Sequence, residues 1–351
     1  MTAFDHRTSD TFRVANLIAI FLVVAIHYNS KHYIDLSSGL GFNYYFQEWL
    51  TNSVARVSVP FFAFVAGFFY YLKFRTVRDY LPQLQKRFWS LIVPYFIAVL
   101  VILVHDNALA VLKNQGHQLA PAELGYYLLH PDSVQFWFLR DLIFIVIFIC
   151  PILHLVMNKL PALVLAPLFI AWFIEFQFFP KLADWYLINV EILFFFSVGC
   201  FLAKNTDKLK SILSWCESFS MAIIFLFLVL SVGRVLWAPK FAVWYGVHGG
   251  GIGPLILYKL VILVGLLALY VSSLPLKNSR VLIWLSTFSF FIFLYHIKPV
   301  STISINLASF FLKDPYIFYL SFPYALGMSI FFGYTLKAAL PRIYSYVSGG
   351  R

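Results

Sequence analysis

Apolar residues gather along the chain into ten long stretches, roughly 12–28, 54–72, 88–105, 136–157, 161–179, 187–203, 219–238, 253–272, 281–300 and 315–339. Each is about as long as a helix must be to cross a bilayer. The pattern predicts an all-α polytopic membrane protein of about ten transmembrane helices, forming one integral-membrane domain over residues 1–351 with no separate soluble domain. Only Asn158, Lys159, Leu160 and Pro161 separate the fourth stretch from the fifth. That break predicts a tight turn, because a proline after a short polar interruption starts a new helix well. Segments 29–53 and 106–135 are too short for independent domains, though either can hold a re-entrant or interfacial helix. No small-residue cleavage signature follows the first stretch, which therefore reads as a retained span.

Charge then orients the spans. Of the 26 Lys and Arg residues, sixteen fall at the N-terminus, in the loop 73–87, near 159, 204–210 and 277–280, and in the tail from 337. The opposite loops hold only Lys31, Lys113, Lys181, Lys240 and Lys313. Because cationic loops are retained in the cytoplasm, both termini are expected there. The same rule explains the net charge of +11 without a nucleic-acid partner. Composition agrees with the bilayer as surroundings: 61% of residues are hydrophobic, 20% aromatic and 12% charged, where a soluble domain carries about 25% charged residues. None of Cys150, Cys200 and Cys216 has CxxC spacing, so neither a disulfide nor a structural metal is expected.

Ionisable groups inside spans are costly unless paired or hydrated, which makes each a candidate site residue. In the expected orientation His27, Arg56, His105, Arg140, Asp141, Glu175, Glu191, Arg234, Lys259, His296 and Lys298 all lie in the outer half, suggesting a hydrated cavity open outward. Lys259 and Lys298 sit near span ends, where long side chains can snorkel, and His154 reads as a packing histidine. Glu175 and Glu191 flank a short outer loop and are either wetted there or functional. Arg140 beside Asp141 reads either as a self-contained ion pair or, since neighbours on a helix point apart, as two residues that each need a different partner. Arg56 has no acid in its own stretch, so its counter-charge must come from elsewhere or from a ligand.

The first span is the most informative. Arg13 and His27 are 14 residues apart, about 21 Å along a helix and within roughly 40° of one face, with Asn16 between them on the same stripe. A cation at the cytoplasmic entrance is thus joined to an imidazole in the outer half. Histidine can abstract and return a proton near neutral pH, so His27 is the candidate base. No HExxH, GxSxG or GxxxxGK[ST] occurs, leaving metalloprotease, hydrolase-elbow and P-loop chemistry without a motif. His248, Gly249, Gly250 and Gly251 read as a turn rather than an oxyanion loop.

The blocks FRVANLIAIFLVVAIHY, ARVSVPFFAFVAGFFYYLKF, KRFWSLIVPY, FWFLRDLIFIVIFICPIL, FFFSVGCFLAK and STFSFFIFLYHIKPV resemble, in order, those of acyltransferase family 3, the integral-membrane O-acyltransferases. The resemblance implies transfer of an acyl group, commonly acetyl or succinyl, from cytoplasmic acyl-CoA to a hydroxyl of an extracytoplasmic polysaccharide or glycolipid. Acyl-CoA would be a co-substrate, with no permanently bound cofactor. By position the resemblance marks His27, Arg56, Trp137, Arg140, Tyr295 and His296. The family's arginine usually precedes its histidine by ten intervening residues, whereas Arg13 precedes His27 by thirteen and Asn16 holds the usual position.

The resulting expectation assigns catalysis to His27, Arg56, Arg140 and His296, donor binding to Arg13 and Asn16, and acceptor binding to Trp137, Glu175 and Glu191. His27 acts either as general base or as a covalent relay. The expected location is a bacterial inner or plasma membrane. The rival reading is a secondary transporter of an anionic or sugar-like substrate, although neither internal repeats nor interrupted midplane helices are evident in the chain.

Overall fold

The computed structural model describes residues 6–30, 41–74, 76–113, 125–126, 128, 136–182, 185–239 and 251–350. Lys31, Arg75, Lys240, His248–Gly250 and most of segment 106–135 lie outside the described residues. In chain order the helices are α1 (His6–His27), α2 (Phe42–Asn52), α3 (Ser58–Tyr71), α4 (Tyr80–Arg87), α5 (Val93–Leu112), α6 (Trp137–Phe144), α7 (Cys150–Lys159), α8 (Ala162–Phe173), α9 (Val190–Lys204), α10 (Thr206–Ser218), α11 (Ser220–Trp237), α12 (Ile252–Ser273), α13 (Arg280–Ser286), α14 (Ser289–Tyr295), α15 (Val300–Ser309), α16 (Phe318–Ala339) and α17 (Pro341–Val347). A two-residue antiparallel ladder, Lys181–Leu182 with Trp185–Tyr186, is the sheet among the described residues.

Six of these helical segments are long and apolar enough to cross a membrane, or seven if α14 and α15, bent by 80°, count as one span. The protein is therefore a multi-pass, predominantly helical membrane protein. Three expected stretches fall short of that test as helices: α8 has 12 residues, α9 has 15, and α16, which contains Pro323, is interspersed with Ser, Gly and Tyr. The stretch 281–300 is interrupted rather than continuous. Two helices are re-registered by proline. Pro94 and Pro151 cannot donate to the carbonyls four residues earlier, and a π-turn precedes each, Phe88–Ile92 and Ile145–Ile149. The carbonyl of Ile147, freed by Pro151, instead accepts a hydrogen bond from the Tyr80 hydroxyl.

The chain forms two compact units. One comprises residues 1–62, 205–289 and 304–327; the other comprises 63–204, 290–303 and 328–351. In the first unit α1 packs against α2, α12 and α13, and α11 lies along α12. Phe12 of α1 stacks on Phe61 at 6.3 Å and meets Tyr270 of α12 at 6.0 Å. Polar clasps fasten α2 to α11: Trp49 Nε1 donates to Ser231 Oγ at 3.0 Å, and Ser53 Oγ donates to the Ser231 carbonyl at 3.1 Å. Such bonds count in a bilayer, where apolar burial does little to hold helices together.

The second unit centres on two glycines. A Cβ on Gly67 of α3 would stand 2.1 Å from the Phe196 carbonyl oxygen, and one on Gly199 of α9 would stand 2.1 Å from that of Phe64. The helices touch backbone to backbone there, as small residues permit in membrane bundles. His154 packs as expected, edge-on to Phe74 at 4.6 Å, while Asn158 Nδ2 donates to its Nε2 at 3.0 Å.

Candidate functional site

In the first unit, α1 carries Arg13, Asn16 and His27. Arg13 is exposed beside Asp10, at 3.4 Å, and Asn16 is half-buried. Farther along the same face Ile20, Val23 and Val24 are buried, and the stripe opens again at His27. The imidazole, expected in the outer half of the first span, belongs to the last residue of the helix and is exposed. Beyond it a hydrogen-bonded collar forms. Gln47 of α2 accepts from the Ser30 backbone N–H at 2.9 Å and donates to the Pro315 carbonyl at 3.0 Å, and Ser30 Oγ donates to the same carbonyl at 2.6 Å.

Arg56 lies in the 3₁₀ turn Val54–Val57, which packs against α1. Its Nε donates to Asn52 Oδ1 at 2.9 Å. Asn52 Nδ2 donates to Glu48 Oε1 at 2.6 Å, and that oxygen also accepts from Arg234 Nη1 of α11 at 2.7 Å. Glu48 and Arg234 are both buried. The sequence reading missed this chain because segment 29–53 looked like an outer connection. The signal was present in the spacing of four that separates Glu48, Asn52 and Arg56, which aligns them along one helical face. Lys259 also departs from expectation. Rather than snorkelling it is completely buried, its ammonium 5.8 Å from the centre of the Tyr258 ring.

Removing one member of a buried ion pair strands the other charge in a low-dielectric interior, at a cost of about 3–5 kcal/mol. Glu48→Leu and Arg234→Leu should each lower the unfolding temperature in detergent sharply, whereas the double variant recovers part of the loss. Single variants that melt with the wild type would refute this.

In the second unit, α6 presents Trp137, half-buried in its first turn, and the buried pair Arg140 and Asp141. Both readings hold in part: the two meet at 3.6 Å, and each also has a partner of its own. The long guanidinium stem folds back past its neighbour while donating to the Tyr186 carbonyl. Asp141 Oδ2 accepts from the Asn189 N–H at 2.8 Å, and Asn189 Oδ1 accepts from the Glu191 N–H at 2.9 Å. Glu191 is itself buried and accepts from Trp172 Nε1 at 2.8 Å. Arg140 and Glu191 thus belong to one polar network joining α6, α8 and α9.

Glu175 ends α8 with φ 59°, and the Phe176 N–H closes the helix onto the Ala171 carbonyl at 2.8 Å. A left-handed backbone at a residue other than glycine is strained by about 1 kcal/mol or more and clusters at functional positions.

His296 sits at the bend between α14 and α15 and is fully buried. Its Nδ1 faces the carbonyls of Ile292 and Phe293, each at 2.9 Å. Carbonyls only accept, so Nδ1 carries the proton and Nε2 is the basic nitrogen of the neutral ring. Phe293 packs against Phe136 and Phe138 at 6.5 and 6.0 Å, bringing this bend to the Arg140 end of α6. Lys298, within the bend, pairs with Asp106 at 2.7 Å while both side chains stay partly exposed.

Among the described residues no His, Cys, Asp and Glu cluster suited to a metal ion occurs. The apolar helices thus frame two buried polar networks, Glu48 with Arg234 in the first unit and Arg140 with Asp141 in the second, within a multi-pass membrane protein. The acyltransferase-domain family matches residues 13–340, nearly the whole chain, and the protein belongs to that acyltransferase 3 family. It is an acyltransferase. No curated protein and no solved structure matches the chain significantly.

Proposed function

We propose that this membrane acyltransferase moves an acyl group, acetyl or succinyl, from acyl-CoA at the cytoplasmic face to a hydroxyl of an extracytoplasmic polysaccharide or glycolipid. The observation carrying this reading is α1, which sets exposed Arg13 and exposed His27 about 21 Å apart on one face. In this reading both termini are cytoplasmic and the bilayer is a bacterial inner or plasma membrane. Arg13 and Asn16 receive the donor's anionic end. The Lys and Arg residues concentrated on the expected cytoplasmic side suit an anionic donor arriving from that face.

As base, His27 takes the proton from the acceptor hydroxyl while that oxygen attacks the thioester carbonyl. Collapse of the tetrahedral intermediate then breaks the C–S bond, and the imidazolium returns the proton to the departing thiolate. In the covalent alternative, His27 attacks the thioester carbonyl and the CoA thiolate leaves as the C–S bond breaks. The hydroxyl then attacks the acyl-imidazole, the C–N bond breaks, and the freed imidazole takes the hydroxyl proton. Arg56 and Arg140 keep the roles implied by resemblance, stabilising negative charge on oxygen in a water-poor setting. His296 offers Nε2 for proton transfer. Trp137, half-buried Glu175 and Glu191, the last also accepting from Trp172, serve the acceptor. Family membership lends the transporter alternative no support.

Inside-out vesicles given radiolabelled acetyl-CoA or succinyl-CoA test the reading. Wild-type vesicles should place base-labile label in the glycan fraction, and Arg13→Ala should raise the donor KM roughly tenfold or more, the worth of one charge-assisted bond. No transfer by wild type, or an unchanged KM, would overturn the donor assignment.

A further inference from the structure

Arg56 is half-buried and, among the described residues, its guanidinium makes one hydrogen bond, from Nε to Asn52. The Asn52 amide cannot turn round without setting its NH₂ against that N–H and its oxygen against the Glu48 carboxylate. Glu48 therefore fixes the amide, and Arg234 fixes Glu48 through the bond between Nη1 and Oε1. All three supporting side chains are buried. The electrostatics sharpen the point. Arg234 neutralises Glu48, and a neutral amide then orients Arg56 without cancelling its charge. With Nε committed, the edge formed by Nη1 and Nη2 remains for a ligand, and two parallel N–H donors match a carboxylate or an oxyanion.

We infer that Arg234, Glu48 and Asn52 are positioning residues that hold Arg56 so that its Nη1 and Nη2 edge meets a negatively charged oxygen of the substrate. This rests on the assignment of Arg56 to the reaction. The oxygen has two sources, the reacting carbonyl, which gains charge in the tetrahedral intermediate, and the terminal carboxylate of a dicarboxylic acyl donor.

The test uses vesicles bearing the full-length protein, with radiolabelled acetyl-CoA and succinyl-CoA as donors. Asn52→Leu removes the tether, and displacement of a reacting group by about 1 Å costs roughly 100-fold. A loss of that order is expected in Asn52→Leu, with no further loss when it is combined with Arg56→Ala, because residues acting through one another are not additive. A fall in kcat with both donors identifies the carbonyl oxygen. A rise in KM confined to succinyl-CoA identifies the carboxylate.

Asn52→Ser covers the case in which Asn52→Leu fails to fold, since it is smaller, sets no like charge beside Glu48 and leaves room for water to satisfy that carboxylate. Its short side chain no longer reaches Arg56 and should reduce transfer, while chromatography in detergent shows an intact protein. Wild-type activity in Asn52→Ser, or an additive loss in the double variant, would overturn the relay and leave the Arg56 assignment standing. Full activity in Arg56→Ala would instead remove the arginine from the reaction, and the relay with it.

Discussion

Gly67→Leu and Gly199→Leu are expected to leave no folded protein in the membrane. At each position the first side-chain carbon would lie 2.1 Å from a backbone carbonyl oxygen of the facing helix, Phe196 in one case and Phe64 in the other. Neither oxygen can rotate away as a flexible side chain could, so α3 and α9 must separate. Apolar burial does not drive helices together in lipid, and close packing is itself the attraction. Overpacking a single site costs about 1–3 kcal/mol where neighbours can adjust. Here a whole helix must move, against a total stability of only about 5–15 kcal/mol. Alanine at either position should produce a smaller loss in the same direction. Gly327 supplies the control, because a Cβ there meets nothing within 4 Å. Size-exclusion chromatography and thermal unfolding in detergent should show Gly327→Leu behaving as wild type and the other two leucine variants aggregated. Normal elution of Gly67→Leu would contradict the crossing.

The second large effect is on chemistry alone. His27→Gln preserves a polar side chain but cannot take and return a proton, and loss of a general base slows transfer about 10²- to 10⁴-fold. His27 is the final, exposed residue of α1, and substitutions at such surface positions usually shift stability by no more than about 0.5 kcal/mol. Transfer from radiolabelled acetyl-CoA should therefore collapse while the melting temperature holds. A matching fall in both would make His27 a folding residue.

Much of the architecture is legible in the chain, and its failures have local causes. Long apolar runs mark α1, α5, α11 and α12 because lipid-facing helices need not alternate polar and apolar faces. Segment 29–53 leaves room for a helix, but hydropathy does not delimit α2 because its buried side is polar, with Gln47, Glu48, Thr51 and Asn52. The run 281–300 looks continuous, yet the helix breaks at Thr287 and turns again after Tyr295; hydropathy records composition and not direction. The stripe of Arg13, Asn16 and His27 follows from helical spacing alone. Arg234 and Glu48 stand 186 residues apart, and only the packing of α11 on α2 joins them. Spacing likewise leaves Arg140 and Asp141 open between pairing and diverging, since it describes where Cβ atoms point and not how a long guanidinium folds back.

The central claim, acyl transfer to an extracytoplasmic glycan through His27, is tested most directly by mass spectrometry of surface glycans. Cells deleted for the gene are compared after complementation with wild type or His27→Ala at matched membrane levels. The prediction is an ester-sized mass that disappears on deletion, returns with wild type and stays absent with His27→Ala. Glycans unchanged by deletion, or full restoration by His27→Ala, would contradict it.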